Sequence, residues 1–224
     1  MVRKTKAQAA DTRERLLDAA ERVFRADGVA KSSLTMVAAA AGVTRGAVYW
    51  HFKDKADLFS ALCQRTPLPL DALRDSTGAE HEDDPLAAVR ARVVAALTRL
   101  ADDPRTQALF EVVFHKTELT GELSPIAGRL ERARGDRQAS VEALLEHAVR
   151  IGQLPGDTDT RLAARLVHAF VSGIMREWVL DKDAYGLAER APCLADTMLA
   201  GLAANPPRRR HRVRPRVRPR ANMV

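Results

Sequence analysis

Residues 32–56 read SSLTMVAAAAGVTRGAVYWHFKDKA, and their pattern predicts two short helices, a tight turn and the start of a third helix. Thr35 and Thr44 are predicted to cap the two short helices, because a side-chain hydroxyl can accept a hydrogen bond from an unpaired N–H at a helix start. Gly42 lies between these helices, where the chain needs a residue that tolerates a positive φ. The first helix is built from Met, Val and Ala, which allow a second helix to cross it closely.

The second short helix, about residues 44–51, has a different surface. Val48 and Phe52 are suited to a core, whereas Arg45 and His51 present hydrogen-bonding groups. A short helix with polar and aromatic groups outside and apolar anchors inside suits insertion into the major groove of DNA. This stretch therefore predicts a DNA-binding helix-turn-helix.

The segments on either side of this stretch also have helical periodicity. Residues 11–27 carry an apolar stripe, and Asp11 opens a D-x-x-E capping-box pattern that predicts the helix start. Asp54 is placed to cap a helix after the helix-turn-helix. Pro67 and Pro69 then end or kink this helix, which makes the junction a candidate hinge.

The chain as a whole is predicted to be all-α, with about nine helices and no strand pattern or internal repeat. Residues 1–10 are predicted to be a basic arm, either a frayed terminus or a phosphate-contacting segment. The helix-turn-helix domain follows over residues 11–57, and a larger helical domain spans residues 58–204. Residues 205–224 are rich in Arg and Pro and predict a disordered tail, which is either simply solvated or adds non-specific attraction to phosphates.

The net charge of +7 is unevenly distributed along the chain. Residues 1–66 carry +5 and residues 208–220 carry +8, whereas the intervening residues 67–207 carry −6. An acidic body with basic ends indicates a nucleic-acid surface at the front of the chain and argues against a uniformly basic coat protein.

The composition also narrows the compartment and the class of protein. Cys63 and Cys193 do not suggest a disulfide framework or a zinc site, so they are interpreted as ordinary thiols of a reducing cytosol, with a redox sensor as the alternative. No signal peptide and no apolar run of about 20 residues is present, which predicts a cytoplasmic protein without a membrane partner. No phosphate-binding glycine loop, metal-ligand cluster or nucleophile motif points to an enzyme, a metal or a cofactor.

The run from Thr35 to Phe59, TMVAAAAGVTRGAVYWHFKDKADLF, resembles the DNA-binding domain of the TetR family of bacterial transcriptional regulators. The part from Gly42 to Lys55 is the most specific. Two later segments, RTQALFEVVFHKTELTGEL and VRIGQLPGD, resemble the drug-responsive repressors of efflux-pump operons within that family, the AcrR/TtgR type. The Arg-rich tail departs from this pattern.

The resemblance implies an all-α homodimer whose first three helices bind DNA and whose remaining helices form a ligand-binding and dimerisation domain. The last two helices would pair with those of a second copy as a four-helix bundle. Two recognition helices would then enter successive major grooves of a near-palindromic double-stranded operator.

Roles in DNA binding follow from matching positions. Arg45 is the candidate for a base-edge contact with guanine, Gly46 for close backbone approach and Ala47 for contact with a thymine methyl. The candidates for phosphate contacts are Thr35, Thr44, Tyr49, Trp50, His51 and Lys55. Alternatives remain for three of them: His51 as a buried, locally bonded histidine, Trp50 as packed against the core, and Lys55 as a solvated surface lysine.

A hydrophobic effector site is expected in the larger domain. Its candidate residues share helix faces at i, i+3, i+4 or i+7 and are Val93, Leu97, Phe110, Phe114, His168, Val171, Ser172 and Met175. The alternative is that they are ordinary core or interface residues.

Together these features predict a repressor that a hydrophobic compound, cationic drugs included, releases from its operator. A TetR-type regulator of a metabolic operon that senses a metabolite is the nearer alternative. A non-specific architectural nucleic-acid-binding protein is the third interpretation, and it predicts little sequence preference and a steep salt dependence.

Overall fold

The computed structural model describes residues 6–66, 68–74, 83–117 and 121–209. These ranges contain nine α-helices, as the sequence predicts, and a single isolated β-bridge between Thr158 and Arg208. None of these helices is long and apolar enough to cross a membrane. The helices are α1 (Lys6–Asp27), α2 (Leu34–Ala41), α3 (Arg45–His51), α4 (Lys55–Arg65), α5 (Pro85–Asp102), α6 (Pro104–His115), α7 (Ser124–Arg150), α8 (Thr160–Leu180) and α9 (Leu187–Ala204).

The N-terminal helices α1–α4 enclose the first of two hydrophobic cores. Phe24 of α1 meets Phe59 of α4 edge to face, with ring centroids 5.9 Å apart. Val48 of α3 and Phe52 are buried in the same core. Because α4 contributes Leu58, Phe59 and Leu62, the core of this unit extends beyond residue 57, where the sequence pattern placed the domain boundary.

Helix α1 begins earlier than predicted. It starts at Lys6, so Asp11 lies inside the helix and the capping-box prediction for its start is wrong. The stretch Lys-Ala-Gln-Ala-Ala before Asp11 consists of strong helix formers, which extend the helix without a polar cap. Residues 6–10, which were assigned to the basic arm, are therefore the first turns of α1, and residues 1–5 lie outside the described ranges.

The cap of α2 also differs from the prediction. Ser33, and not Thr35, has extended backbone angles and accepts a hydrogen bond from the Met36 N–H at 3.2 Å. Thr35 is the second residue of α2 and is exposed. The error arose because Ser and Thr are both good caps, and three such residues occur within four positions.

The other predicted turn and cap residues are confirmed. Gly42 ends α2 with φ 65° and ψ 37°, in the left-handed region that favours glycine. Thr44 Oγ1 accepts a hydrogen bond from Ala47 N–H at 3.3 Å and caps α3. Asp54 caps α4 by accepting a hydrogen bond from Asp57 N–H at 2.8 Å.

After Arg65 the chain leaves α4, as the two prolines predicted, and forms a short 3₁₀ helix over Pro69–Leu73. Residues 75–82 lie outside the described ranges. Helices α5, α7, α8 and α9 then enclose the second core, into which the 3₁₀ segment contributes Leu70 and Leu73.

Helix α6 takes part in both cores. Leu109, Val112 and Val113 are buried in the first core, whereas Phe110 is buried in the second. Phe114 packs against both. Any displacement of α6 that accompanies a change in the second core therefore also disturbs the packing of the N-terminal unit.

The C-terminal end of the folded part lies beyond α9. Asp159 N–H donates to Pro207 O at 2.7 Å, and Arg209 N–H donates to Asp157 O at 2.8 Å. Residues 205–209, which the sequence assigned to the disordered tail, are therefore docked on the turn between α7 and α8. Residues 210–224 lie outside the described ranges.

Candidate DNA-binding surface and effector site

Helix α3 presents one side to the core and the other to solvent. Val48 is fully buried on the inner side. On the outer side, Arg45 and Gly46 are exposed, Tyr49 is 48% exposed and Trp50 is 72% exposed. Trp50 therefore does not pack on the core, and α3 offers a helix face that is short, convex and unusually rich in exposed aromatic surface.

The exposed Arg45 side chain lies over Tyr49, one turn along the helix. The guanidinium carbon is 5.4 Å from the ring centroid, and Nη2 lies 3.4 Å from the Tyr49 hydroxyl. This cation–π contact holds the exposed guanidinium at the start of α3. That position suits bidentate hydrogen bonding to the edge of a base.

Gly46 and Ala47 form the backbone surface next to Arg45. A Cβ atom added at Gly46 would meet nothing within 4 Å, so the protein's own packing does not require glycine there. Ala47 is half-buried. Both positions are compatible with the predicted approach of a DNA edge, and their roles stay predictions.

A cleft of about 380 Å³ lies between the N-terminal ends of α2, α3 and α4. Its lining includes the phosphate candidates Thr35, Tyr49 and Lys55, as well as Arg45 and Lys53. Cationic side chains and free helix-start N–H groups on one side of a domain favour a bound phosphate. Thr44, the cap of α3, is exposed at the start of the same helix as Arg45.

Lys55 has an internal role that sequence reasoning missed. Its ammonium donates to Ala30 O and Ser32 O, each at 3.2 Å, and the residue is half-buried. Lys55 therefore braces the loop between α1 and α2 and is not merely a solvated surface lysine. A phosphate contact would be made by an ammonium that the protein already holds in place.

His51 lies between the exposed and buried parts of α3. It is half-buried, and its ring meets the Trp50 ring edge to face at 4.6 Å. The Phe52 ring centroid is 6.2 Å away. His51 thus supports the orientation of Trp50 as well as being a candidate for a phosphate contact.

Two arginines of α1 hold the helix-turn-helix from behind. Arg15 donates to Ala41 O at 2.9 Å and Arg22 donates to Ala40 O at 3.3 Å, which satisfies carbonyls at the C-terminal end of α2. Their spacing of seven residues, two helical turns, is the sequence signal that could have revealed this pair.

Helix α4 is tied to α1 by an ion-pair cluster. Arg65 donates to Asp18 at 2.6 Å and to Glu21 at 3.2 Å. Burial, opposed by the charge of Arg65, raises the pKa of the Glu21 carboxyl. This cluster therefore ties the C-terminal end of α4 to α1, the helix whose arginines support α2.

Six of the eight effector-site candidates lie in or against the second core, on α5, α6 and α8, and His168 and Ser172 share a face of α8 with two of them. The fully buried members are Val93, Leu97, Phe110, Val171 and Met175, and the half-buried members are Phe114, His168 and Ser172. The Phe110 and Phe114 rings lie 4.4 Å apart, and the Arg176 guanidinium carbon is 5.6 Å from the Phe114 ring centroid. All of the buried members belong to the second core, and their role toward a ligand stays a prediction.

Two buried arginines near these residues escaped the sequence analysis. Arg137 of α7 donates to Asp71 at 2.8 Å, and burial lowers the pKa of its guanidinium. Arg92 of α5 donates to Leu73 O at 3.2 Å and to Ser140 Oγ at 2.9 Å. Each arginine occupies a core-facing helix position among apolar neighbours, and that interruption of the apolar stripe was the available signal.

No group of His, Cys, Asp and Glu side chains suited to a metal ion occurs among the residues that the structure describes. The side chains of the two regions offer hydrogen bonds, charge and apolar contact. The N-terminal surface suits an extended anion, and the second core suits a largely apolar molecule.

Comparison with known proteins agrees with this division. Residues 16–62 match the family model described as bacterial regulatory proteins, tetR family. Residues 84–203 match the model described as MAATS-type transcriptional repressor, C-terminal region.

Relatives match along nearly the whole chain. The HTH-type transcriptional regulator TtgR of Pseudomonas putida is 38% identical over 92% of this chain and 98% of its own. The structure of NalD, the secondary repressor of the MexAB-OprM multidrug efflux pump in Pseudomonas aeruginosa, matches with a TM-score of 0.77 and 30% identity, over 88% of this chain and 98% of NalD. SmeT, the repressor of the Stenotrophomonas maltophilia multidrug efflux pump SmeDEF, matches in its triclosan complex with a TM-score of 0.71 and 31% identity, over 85% of this chain and 91% of SmeT.

Proposed function

Because the chain belongs to the TetR family of bacterial transcriptional regulators, with a MAATS-type C-terminal region, we propose that it is a dimeric repressor of a multidrug efflux operon that a hydrophobic compound releases from DNA. It is a TetR-type repressor related to the repressors of multidrug efflux pumps. TetR-type regulators are not enzymes. The observation that carries the proposal is that the relationship includes the effector-domain half of the chain as well as the helix-turn-helix.

The first step is binding of the operator by α3. The exposed face of α3 carries Arg45 for a guanine edge, and the neighbouring cleft supplies Lys53 and Lys55 for phosphates. The buried anchor Val48 fixes the helix to the domain, so that the exposed face is presented rigidly.

The second element of the proposal is a homodimer formed through α8 and α9. Leu162 and Leu166 are 44% and 50% exposed and lie one turn apart on α8. Ala169 and Gly173 continue the same exposed stripe at the next two turns, which leaves room for close approach of another helix. An apolar stripe of this kind on an outer helix supports pairing with the same stripe of a second copy.

The third element is effector binding in the second core. Six of the eight candidate residues bring aromatic and aliphatic side chains together in the second core, and His168 and Ser172 would add polar groups from the same face of α8, as small-molecule sites require. The related SmeT was solved as a complex with triclosan. This supports a hydrophobic effector for the present chain.

The switch would run through α6, which is shared by the two cores. A ligand beside Phe110 and Phe114 would favour one position of α6, and Leu109 and Val112 would carry that preference into the N-terminal unit. A rigid duplex matches only one separation of two recognition helices. A difference of a few kcal/mol between the two arrangements, roughly 1–3 kcal/mol in known couplings, is therefore enough to change occupancy.

The proposal is tested by fluorescence anisotropy with the DNA upstream of the protein's own gene, at fixed near-physiological salt. Scrambled DNA is the competitor, and triclosan and other lipophilic compounds are titrated into the complex. We expect sequence-selective binding that at least one compound reverses. Equal affinity for scrambled DNA would contradict the repressor function, and selective binding that no compound reverses would contradict release by a hydrophobic effector and favour a metabolite sensor.

A further inference from the structure

Two buried nitrogen atoms on helices of the second core have no hydrogen-bond partner among the residues that the structure describes. They are Nε of Arg137 on α7 and Nδ1 of His168 on α8. A buried polar atom without a partner costs free energy, so such atoms in a folded protein indicate a ligand or water that completes them. Two of them on adjacent, packed helices point to one shared occupant.

Arg137 lies on the core-facing side of α7. Val141 and Leu145, one and two turns further along, are both buried in the second core. Arg137 is itself only 4% exposed, and Asp71 accepts a hydrogen bond from its Nη1 at 2.8 Å. The Nε–H remains as a donor inside the domain.

His168 approaches the same region from α8. It shares a helix face with Val171 and Met175, which are both fully buried. Burial, together with the nearby charge of Arg137, lowers the pKa of His168 to about 4, so the imidazole is neutral at pH 7. A neutral imidazole can donate or accept one hydrogen bond at Nδ1 according to its tautomer.

The charged side chains on this side of the second core include two hydrogen-bond donors. Arg92 is buried near Arg137, since Ser140 accepts a hydrogen bond from Arg92 and lies on α7 three residues from Arg137. Guanidinium N–H groups suit an acceptor oxygen and not a cationic group, and the carboxylate of Asp71 is already engaged by Arg137.

We propose that Arg137 and His168 form the polar end of the effector site, and that they select hydrophobic molecules carrying an acidic oxygen, a phenol or a carboxylate. This inference rests on the proposed function. The oxygen accepts a hydrogen bond from Arg137 Nε–H and exchanges a second one with His168 Nδ1. The apolar remainder of the molecule lies toward Val171, Met175 and the Phe110–Phe114 pair.

Three aromatic probes test this selection by calorimetry on the full chain. They are triclosan, which is a chlorinated phenol, its O-methyl ether, and the cation tetraphenylphosphonium. We expect triclosan to bind about tenfold or more tightly than the ether, because the ether can neither ionise nor donate a hydrogen bond. We expect tetraphenylphosphonium to bind more weakly than triclosan.

Variants of the two residues test the assignment. Arg137→Gln and His168→Phe are each expected to bring the triclosan-to-ether affinity ratio to about threefold or less, while Arg132→Gln, an exposed position on the same helix, leaves it unchanged. If Arg137→Gln does not fold, His168→Phe and Arg137→Lys serve in its place, since the lysine keeps the charge beside Asp71 and removes the Nε–H donor. Folding is checked by thermal unfolding and operator binding.

The outcomes separate this inference from the proposed function. Equal binding of triclosan and its ether, tighter binding of the cation, binding of none of the three, or an unchanged ratio in both Arg137 and His168 variants would overturn the selection for acids. Release of the operator by the ether or the cation at a lower concentration than by triclosan would leave the repressor function standing while contradicting that selection. Operator release by no compound at all would instead contradict the proposed function.

Discussion

At the scale of single residues, two cations of the helix-turn-helix unit differ in what surrounds them. Arg45 is exposed at the start of α3, and its guanidinium rests on the Tyr49 ring. Lys55 is half-buried and donates to two backbone carbonyls of the loop that precedes α2. We therefore expect Arg45 to serve DNA contact with little effect on folding, and Lys55 to affect both.

Arg45→Ala is predicted to weaken operator binding by about tenfold to a hundredfold, because one bidentate contact with a base contributes about 1–3 kcal/mol of discrimination. The melting temperature should stay within about 2 °C of the wild type, since an exposed side chain contributes little to stability. Anisotropy titration and thermal unfolding measure the two effects. Arg132→Ala on α7 is the matched control, and unchanged operator affinity in Arg45→Ala would contradict the assignment.

The two cysteines also differ in what surrounds them: Cys63 is half-buried and Cys193 is exposed. Burial raises the pKa of the Cys63 thiol to about 12, so this thiol stays protonated at pH 8, where the unperturbed group begins to ionise. In a Cys193→Ser variant, Cys63 is the sole cysteine, and we predict no labelling by a thiol reagent at pH 8 until denaturant is added. Labelling of the folded Cys193→Ser variant within minutes would contradict this prediction and favour the redox-sensor interpretation.

At the scale of elements, the junction of α1 and α6 joins the two units. Val29 N–H donates to Lys116 O at 3.0 Å, and Arg25 forms an ion pair with Glu111 at 3.0 Å. Gly28 makes the turn possible with φ 78°. This junction fixes the C-terminal end of α6 to the C-terminal end of α1, which supports α2.

Gly28→Ala is predicted to destabilise the protein by roughly 1–2 kcal/mol, because the left-handed conformation strains any side chain. The added Cβ would also lie 3.3 Å from Lys116 O. Gly135→Ala is the control of opposite sign: Gly135 lies in α7 with nothing within 4 Å of an added Cβ, so a gain of about 0.5–1 kcal/mol is expected. Urea unfolding measures both, and an unchanged stability of Gly28→Ala would contradict the strained turn.

The presence of each helix could be predicted from the sequence, whereas the starts of α1 and α2 could not. The periodicity and the prolines located all nine helices of the described ranges, because each helix buries an amphipathic face. The start of α1 at Lys6 and the cap of α2 at Ser33 were missed. In both places several residues have similar intrinsic preferences, and tertiary packing decides among them.

At the scale of the whole molecule, two pairs of exposed apolar residues lie on the two surfaces to which the proposed function assigns a partner. Tyr49 and Trp50 are exposed on the DNA-facing helix, and Leu162 and Leu166 are exposed on α8. Under the proposed function the first pair meets DNA and the second meets another copy. Helix α6 lies between the two cores and would connect their states.

Leu166→Glu is predicted to give monomers, because it places a charge in the centre of the proposed α8 contact, where a like charge from the second copy would face it. Light scattering after size exclusion measures the mass. Operator affinity should fall strongly, since a monomer presents one recognition helix instead of two. Leu180→Glu, at a residue 72% exposed at the end of α8, is the control, and a dimeric Leu166→Glu would contradict the proposed interface.

The two candidate sites differed in how far the sequence could reveal them. Arg45 and Tyr49 were identifiable because the residues of a recognition helix are adjacent in the chain and share one exposed face. The pair of Arg137 and His168 was only half identified, because its members are far apart in the sequence and meet only through the packing of α7 on α8. Buried polar atoms without partners become visible only once that packing is known.

The central claim is that effector and operator bind to different arrangements of the same protein. Its most direct test is the affinity of triclosan for the free protein and for the operator-bound protein, measured at the same salt and temperature. Thermodynamic linkage requires the operator to weaken triclosan binding by the same factor by which saturating triclosan weakens operator binding. The account predicts a common factor of about 5–150, and equal triclosan affinity with and without operator would contradict it.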